Sequence, residues 1–321
     1  MSLLRMILTR LALGALTLFL VSVVVFAATQ ALPGDTARAI LGQEAADTAR
    51  YEALREQLGL NEPLPRQYAD WLSGVVTGDF GNSLVQEDTP VTALLEDRIV
   101  NSAVLVILAA IISIPLSILI GALSALKHES KFDTTANLGN LTLAALPEFV
   151  IGIGLVLLFA TSVFTWLPAV SRIDPDEPLT SQLLLFVLPA ITLALAVAPY
   201  VTRMLRASMI EVLESEYVVM ARLKGIPERR TLWRHALPNA LVPTIQVIAL
   251  QLAWLAGGIV VVEYVFGFSG IGQALVDAVA NRDVPMVQAL CLLIAAVYVI
   301  LNLIADILTI LLNPRLRTGF R

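Results

Sequence analysis

Residues 216–243 read EYVVMARLKGIPERRTLWRHALPNALVP, a basic polar island between two apolar segments. The island carries Arg222, Lys224, Arg229, Arg230 and Arg234, with Gly225 and Pro227 in its middle. Glycine just past an apolar-periodic run ends a helix, and proline starts the next element. The spacing therefore predicts a short helix closed at Gly225, a turn, and a second helix that re-enters apolar surroundings near Pro238. A chain that keeps such an ordered segment between apolar stretches presents a handle to something outside the apolar phase.

Outward from this island the composition sets the class. Of 321 residues, 57% are hydrophobic and 15% charged, too apolar for an ordinary soluble domain. Six stretches, 8–28, 101–126, 138–164, 182–201, 240–262 and 287–312, are long enough to cross about 30 Å of hydrocarbon. The expectation is an all-α polytopic membrane protein with six transmembrane helices. The apolar run from Leu11 to Ala28 exceeds the roughly 7–15 residues of a signal-peptide core, so the first helix is read as retained.

Lys and Arg set the orientation. Arg5, Arg10, Lys127, Lys131, seven bases in 203–239 and three after Pro314 fall on one side. The other side holds five bases in 32–100, plus Arg172 and Arg282. Both termini are expected inside. The net charge of −5 is unevenly spread, since 32–100 holds twelve acids while 203–239 holds four against its seven bases. The basic face suits anionic lipid and acidic protein surfaces alike, and does not by itself point to nucleic acid. The division expected is 1–31 as first transmembrane helix, 32–100 as an external helical subdomain, and 101–321 as a five-helix core with the cytoplasmic loop 203–239.

Within the external segment, Tyr51, Leu54 and Leu58 share a helical face closed by Gly59, and a second helix from near Pro65 turns Tyr68, Trp71, Leu72 and Val75 inward. The single cysteine, Cys291, excludes a disulfide framework. The only histidines are His128 and His235, with no metal-ligand spacing, no Gly-x-Ser-x-Gly and no P-loop sequence. No catalytic, cofactor or metal site is therefore expected in this chain.

Several stretches together resemble the dipeptide/oligopeptide permease family of ABC importers. They are Leu32-Pro33-Gly34-Asp35, the segment 58–65 with Gln67, Tyr68 and Trp71, and Gly78-Asp79-Phe80-Gly81-x-Ser83. Others are Glu263 and Phe266 with Gly270 and Gly272, Arg282-Asp283-x-Pro285, Asp306, and Asn313-Pro314-Arg315. The island adds Tyr217, Ala221, Arg222, Lys224 and Gly225, then His235, Leu237, Pro238 and Asn239. Departures are Val219-Met220 where the wider superfamily has Glu-Ala, Ser269 in place of Pro, and Asn313 in place of Asp.

The resemblance implies the architecture of a type I importer permease in a bacterial-type plasma membrane. It also implies a heterodimer with a second permease, two ATPase subunits carrying ATP and Mg, and an external substrate-binding protein. The island would be the loop docking on the ATPase, with Arg222 and Lys224 pairing acids there. Glu263, Phe266, Gly270, Gly272, Arg282 and Asp283 would form an external loop facing the binding protein.

Two acids stand inside apolar stretches. Glu148 is the candidate pathway residue, the alternative being a structural group near Pro147. Asp306 reads as the structural partner of a base, while Arg203 and Arg206 read as interface anchors with a possible contact to the docking helix. The cargo expected is a dipeptide or oligopeptide; a nickel chelate or glutathione is the alternative. An ion-coupled carrier using Glu148, or an intramembrane enzyme, would be readings of another kind.

Overall fold

A computed structural model describes residues 3–31, 48–57, 59–86 and 89–312. Leu58, Leu32-Pro33-Gly34-Asp35 and Asn313-Pro314-Arg315 lie outside the described residues, as do the side chains of Arg5 and Leu54. Helices account for nearly all the described order: α1 (Leu3–Gln30), α2 (Thr48–Gln57), α3 (Leu64–Thr77), α4 (Val91–Leu126), α5 (Lys131–Ala145), α6 (Glu148–Val156) and α7 (Leu183–Leu213) come first. They are followed by α8 (Glu216–Leu223), α9 (Glu228–Thr231), α10 (Leu237–Phe266), α11 (Ile271–Ala280) and α12 (Val284–Leu312).

Among the described residues, five single helices are long and apolar enough to cross a bilayer, and two bent pairs could each add one span. The long helices centre on α7, which packs along α4, α10 and α5. The α4–α7 seam is built from small residues. Ser117 donates to the Ala198 carbonyl at 3.2 Å, and a Cβ on Gly121 would come within 2.8 Å of the Thr202 carbonyl. Small side chains let two backbones approach closely where lipid gives helices no hydrophobic reason to associate. Next to the seam, Phe186 and Phe268 meet edge-on at 5.2 Å within a core shared by α4, α7 and α10.

The third expected span, 138–164, is not one helix. Its two arms, Lys131–Ala145 and Glu148–Thr161, meet at 106°. Leu146 before Pro147 is extended, with ψ 132°, the conformation that a following proline ring enforces. Either arm alone is about 22 Å long, short of the hydrocarbon thickness. A second bend, of 76°, separates Gly257–Phe266 from Ile271–Ala280 at Gly267, whose φ is +58°.

α1 runs against α12 and is tied to it at both ends. Arg10 Nε lies 3.2 Å from Asp306, which gives Asp306 the basic partner expected of it. At the far end Gln288 donates to Thr29 Oγ1 at 2.8 Å. The helix α3 begins with proline in its first turn and ends at left-handed Gly78. It sets Tyr68 and Trp71 on Phe26 of α1, with ring centroids 5.3 and 5.6 Å away, and the Tyr68 hydroxyl is 2.8 Å from that of Ser22.

The candidate coupling site

α8 projects from the end of α7 after a turn at Glu214 and Ser215. Its inner face is Val218, fully buried, and Ala221. Its outer face carries Tyr217, Val219, Met220 and Leu223, the last 76% exposed. Apolar side chains turned outward on a polar segment mark an interaction surface, for protein or for membrane.

The C-terminus of α8 is closed by a Schellman motif: Gly225 N–H donates to Arg222 O at 2.9 Å and Ile226 N–H to Ala221 O at 3.2 Å. Gly225 has φ +73° with nothing near its missing Cβ. The glycine therefore serves backbone conformation here, not close approach within the chain. Ala221 is packed inward, so its small size serves the chain's own interior.

Arg222 is not free for an external acid. Its guanidinium holds Glu228 of α9 through two bonds of 2.7 and 3.2 Å, and that hydrogen bonding raises its pKa above the ordinary arginine value. The pair staples α8 to α9 across the turn. Lys224 is exposed and has no ion pair among the described residues.

From Glu228 the helix continues through a π turn, Leu232–Ala236, into α10. His235 contributes its carbonyl, which accepts from Asn239 Nδ2 at 2.6 Å. Pro238 sits in the first turn of α10 and is exposed. Leu237 is buried with Ala236 and Ala240 against Ala125, Leu205 and Met209, where α4 and α7 end. The loop is thus welded to three long helices.

Arg206 does not reach α8. It clasps buried Asp133 of α5 with bonds of 2.6 and 2.7 Å, and Arg203 instead lies over the Tyr200 ring at 5.6 Å. Sequence reasoning passed over Asp133. Its signal was the capping box Ser130-x-x-Asp133, realised as Asp133 N–H donating to Ser130 Oγ at 3.3 Å.

At the far end of α10, Glu263, Phe266, Gly270, Gly272 and Asp283, expected in a loop facing a docked protein, have their positions packed inside the chain. Glu263 and Phe266 are fully buried. The Glu263 carboxylate accepts from Ser102 Oγ at 2.5 Å and from Gly272 N–H at 2.6 Å and Gln273 N–H at 3.3 Å. It supplies the acceptor that the first turn of α11 lacks. A Cβ on Gly270 would strike this carboxylate, and one on Gly272 would strike the Val260 backbone. Asp283, also buried, accepts from Ser83 Oγ and from Leu84 N–H at 3.2 Å, pinning the turn around Ser83 to the start of α12. Arg282 alone of this set is exposed, with φ +57°.

Glu148 is the first residue of α6, half-buried at the corner of the broken span. The first turn of a helix is a favourable place for negative charge, because its N–H groups lack partners within the helix.

Two family models together match almost the whole chain. Residues 114–318 match the binding-protein-dependent transport system inner membrane component, and 3–114 match the N-terminal part of such components. The chain belongs to this family. The permease is 36% identical over 97% of its length to the probable peptide ABC transporter permease protein y4tP of Sinorhizobium fredii (strain NBRC 101917 / NGR234), covering 98% of that chain. It is 34% identical to the oligopeptide transport system permease protein AppB of Bacillus subtilis (strain 168), covering 92% of this chain and 94% of the relative. It is also 36% identical to the glutathione transport system permease protein GsiC of Escherichia coli (strain K12), covering 94% and 95%. It is an ABC transporter permease of the inner membrane.

Proposed function

We propose that this permease forms half of the translocation path of an ATP-driven importer of dipeptides or oligopeptides, and that α8 is where a separate ATPase subunit drives it. The observation that carries the reading is the exposed apolar face of Tyr217, Met220 and Leu223 on a helix locked at its C-terminal end. That face is fixed by the Gly225 turn and by the Arg222–Glu228 staple. A floppy loop would absorb a push, whereas this one passes it on.

α8 joins α7 through one turn, and joins α10 through α9 and the π turn. Displacing α8 therefore displaces both helices, with Leu237 and Ala240 as the inner contact. α10 in turn touches α6, where the Gly152 position lies against the Phe266 ring, so movement reaches the corner that holds Glu148. Glu148 is assigned to the path, where its charge would meet a peptide amine. The complete assembly has a second permease, two ATPase subunits that bind ATP and Mg, and an external substrate-binding protein. The outer segment that carries exposed Arg282 would meet that protein.

Peptide cargo is supported by the names of y4tP and AppB, and glutathione, itself a peptide, by GsiC. The test is uptake in a host lacking its own peptide importers and supplied with the complete system. Uptake of dipeptides and longer peptides that stops on ATP depletion, and continues when the proton gradient alone is collapsed, is the expected result. Uptake of glutathione only would move the assignment to the alternative, and loss with the proton gradient would favour an ion-coupled carrier.

A further inference from the structure

Arg98 of α4 and Asp277 of α11 line one cavity of about 230 Å³, at the end of α10 remote from α8. Its apolar lining comes from Leu94, Ala274 and Met286, part of a packed cluster. A third charge in the wall, Asp283, is already spent on Ser83 Oγ and on the N–H groups of Leu84 and Met286. The other two are not. Among the described residues Arg98 has one contact, the Gly270 carbonyl at 3.5 Å, too long for a strong hydrogen bond. Asp277 accepts at Oδ1 from Gln273 Nε2 at 2.9 Å, and its second oxygen takes no donor among the described residues. No ion pair joins Arg98 to either carboxylate.

A guanidinium and a carboxylate that share a cavity without meeting leave space for a molecule carrying both opposite charges. A lone anion would be opposed by Asp277, and a lone cation by Arg98. The volume is the share of about eight waters, room for one or two amino-acid residues and not for a long chain. Position narrows the choice further. In an importer driven at α8, cargo arrives at the other end of the bundle, where this cavity lies.

We infer that this cavity is an entry site for the free termini of a short zwitterionic peptide. The peptide carboxylate meets Arg98, whose planar donors suit it, the ammonium meets the free oxygen of Asp277, and small side chains rest on Leu94 and Met286. The assignment rests on the peptide-importer reading and adds to it the feature of the cargo that is recognised.

The probe is radiolabelled dialanine, bound to the assembled transporter in phosphatidylcholine nanodiscs without its binding protein. Wild type should bind it. Arg98→Gln should weaken dialanine binding about ten-fold or more, the loss of one charge-assisted contact, and leave dialanine amide at its wild-type affinity. Asp277→Asn should weaken dialanine similarly and leave N-acetyl-dialanine unaffected. Because Asp277 is exposed, this second variant tests the site should Arg98→Gln fail to assemble. Arg66→Gln on α3 should bind as wild type does. Equal losses for free and blocked peptides would overturn the site, as would a wild type that binds no dialanine. So would a cavity that instead retains added phosphatidylethanolamine and loses it in both variants, since the occupant would then be a lipid headgroup. Dipeptide uptake by the complete system that both variants leave unchanged would sink this site and leave the importer standing. A wild type that takes up no dipeptide would sink both.

Discussion

At the residue scale, buried polar groups hold the bends in place. Glu263 satisfies one hydroxyl and two backbone N–H groups at the α10–α11 corner. Glu263→Ala strands them, and each buried donor left unpaired costs about 1–3 kcal/mol. The expected outcome is a clear drop in melting temperature in detergent, with a similar loss for Gly272→Ala, whose new Cβ would strike the Val260 backbone and crowd the Glu263 carboxylate. An unchanged melt for both would contradict the corner lock. Gly225 gives a sharper contrast, because nothing crowds it and only its φ of +73° resists a side chain. Gly225→Ala should cost about 1–2 kcal/mol at the α8 cap and reduce transport, while Gly225→Asn should recover much of the activity, since asparagine tolerates the left-handed region. Equal defects would mean that the bulk of the side chain, not the backbone, decides. The cap was legible in the sequence, since Gly225 and Pro227 punctuate a periodic run. The corner lock was not, because Ser102 lies 161 residues from Glu263 and no local pattern announces such a pairing.

At the scale of elements, α5 and its neighbours make the clearest departure from the linear reading. Hydropathy ran unbroken through 138–164, and Pro147 looked no different from Pro115, Pro189, Pro199 and Pro243, which sit inside continuous helices. What separates them is tertiary: after Pro147 the chain turns so that Gly152 meets Phe266 and Thr192, a contact that composition cannot encode. The arm before the break is held by Asp133 and Arg206, whose side chains are 4% and 22% exposed. Removing one partner of a buried pair leaves the other uncompensated, at a cost of about 3–5 kcal/mol. Asp133→Ala and Arg206→Ala should each destabilise strongly, and the double variant should lose much less than their sum. Additive losses in a double-mutant cycle would show that the pair is not a coupled unit. The Arg222–Glu228 staple is exposed, so its contribution to stability is below about 1 kcal/mol. If the proposed coupling holds, Arg222→Glu should uncouple ATP hydrolysis from uptake, and adding Glu228→Arg should restore part of the coupling.

For the whole molecule, the membrane class and the short basic helix closed at Gly225 follow from composition and punctuation. The number of spans did not, because two of the apolar elements bend within their length. The central claim is that the outward face of α8 receives the push of a separate ATPase. It is tested most directly by placing a photo-crosslinking amino acid at Leu223, the most exposed apolar residue of that face, in the assembled transporter in native membranes. The account predicts crosslinking to the ATPase subunit, absent when the same probe stands at buried Val218. Crosslinking to lipid alone, or to a protein other than the ATPase, would contradict it.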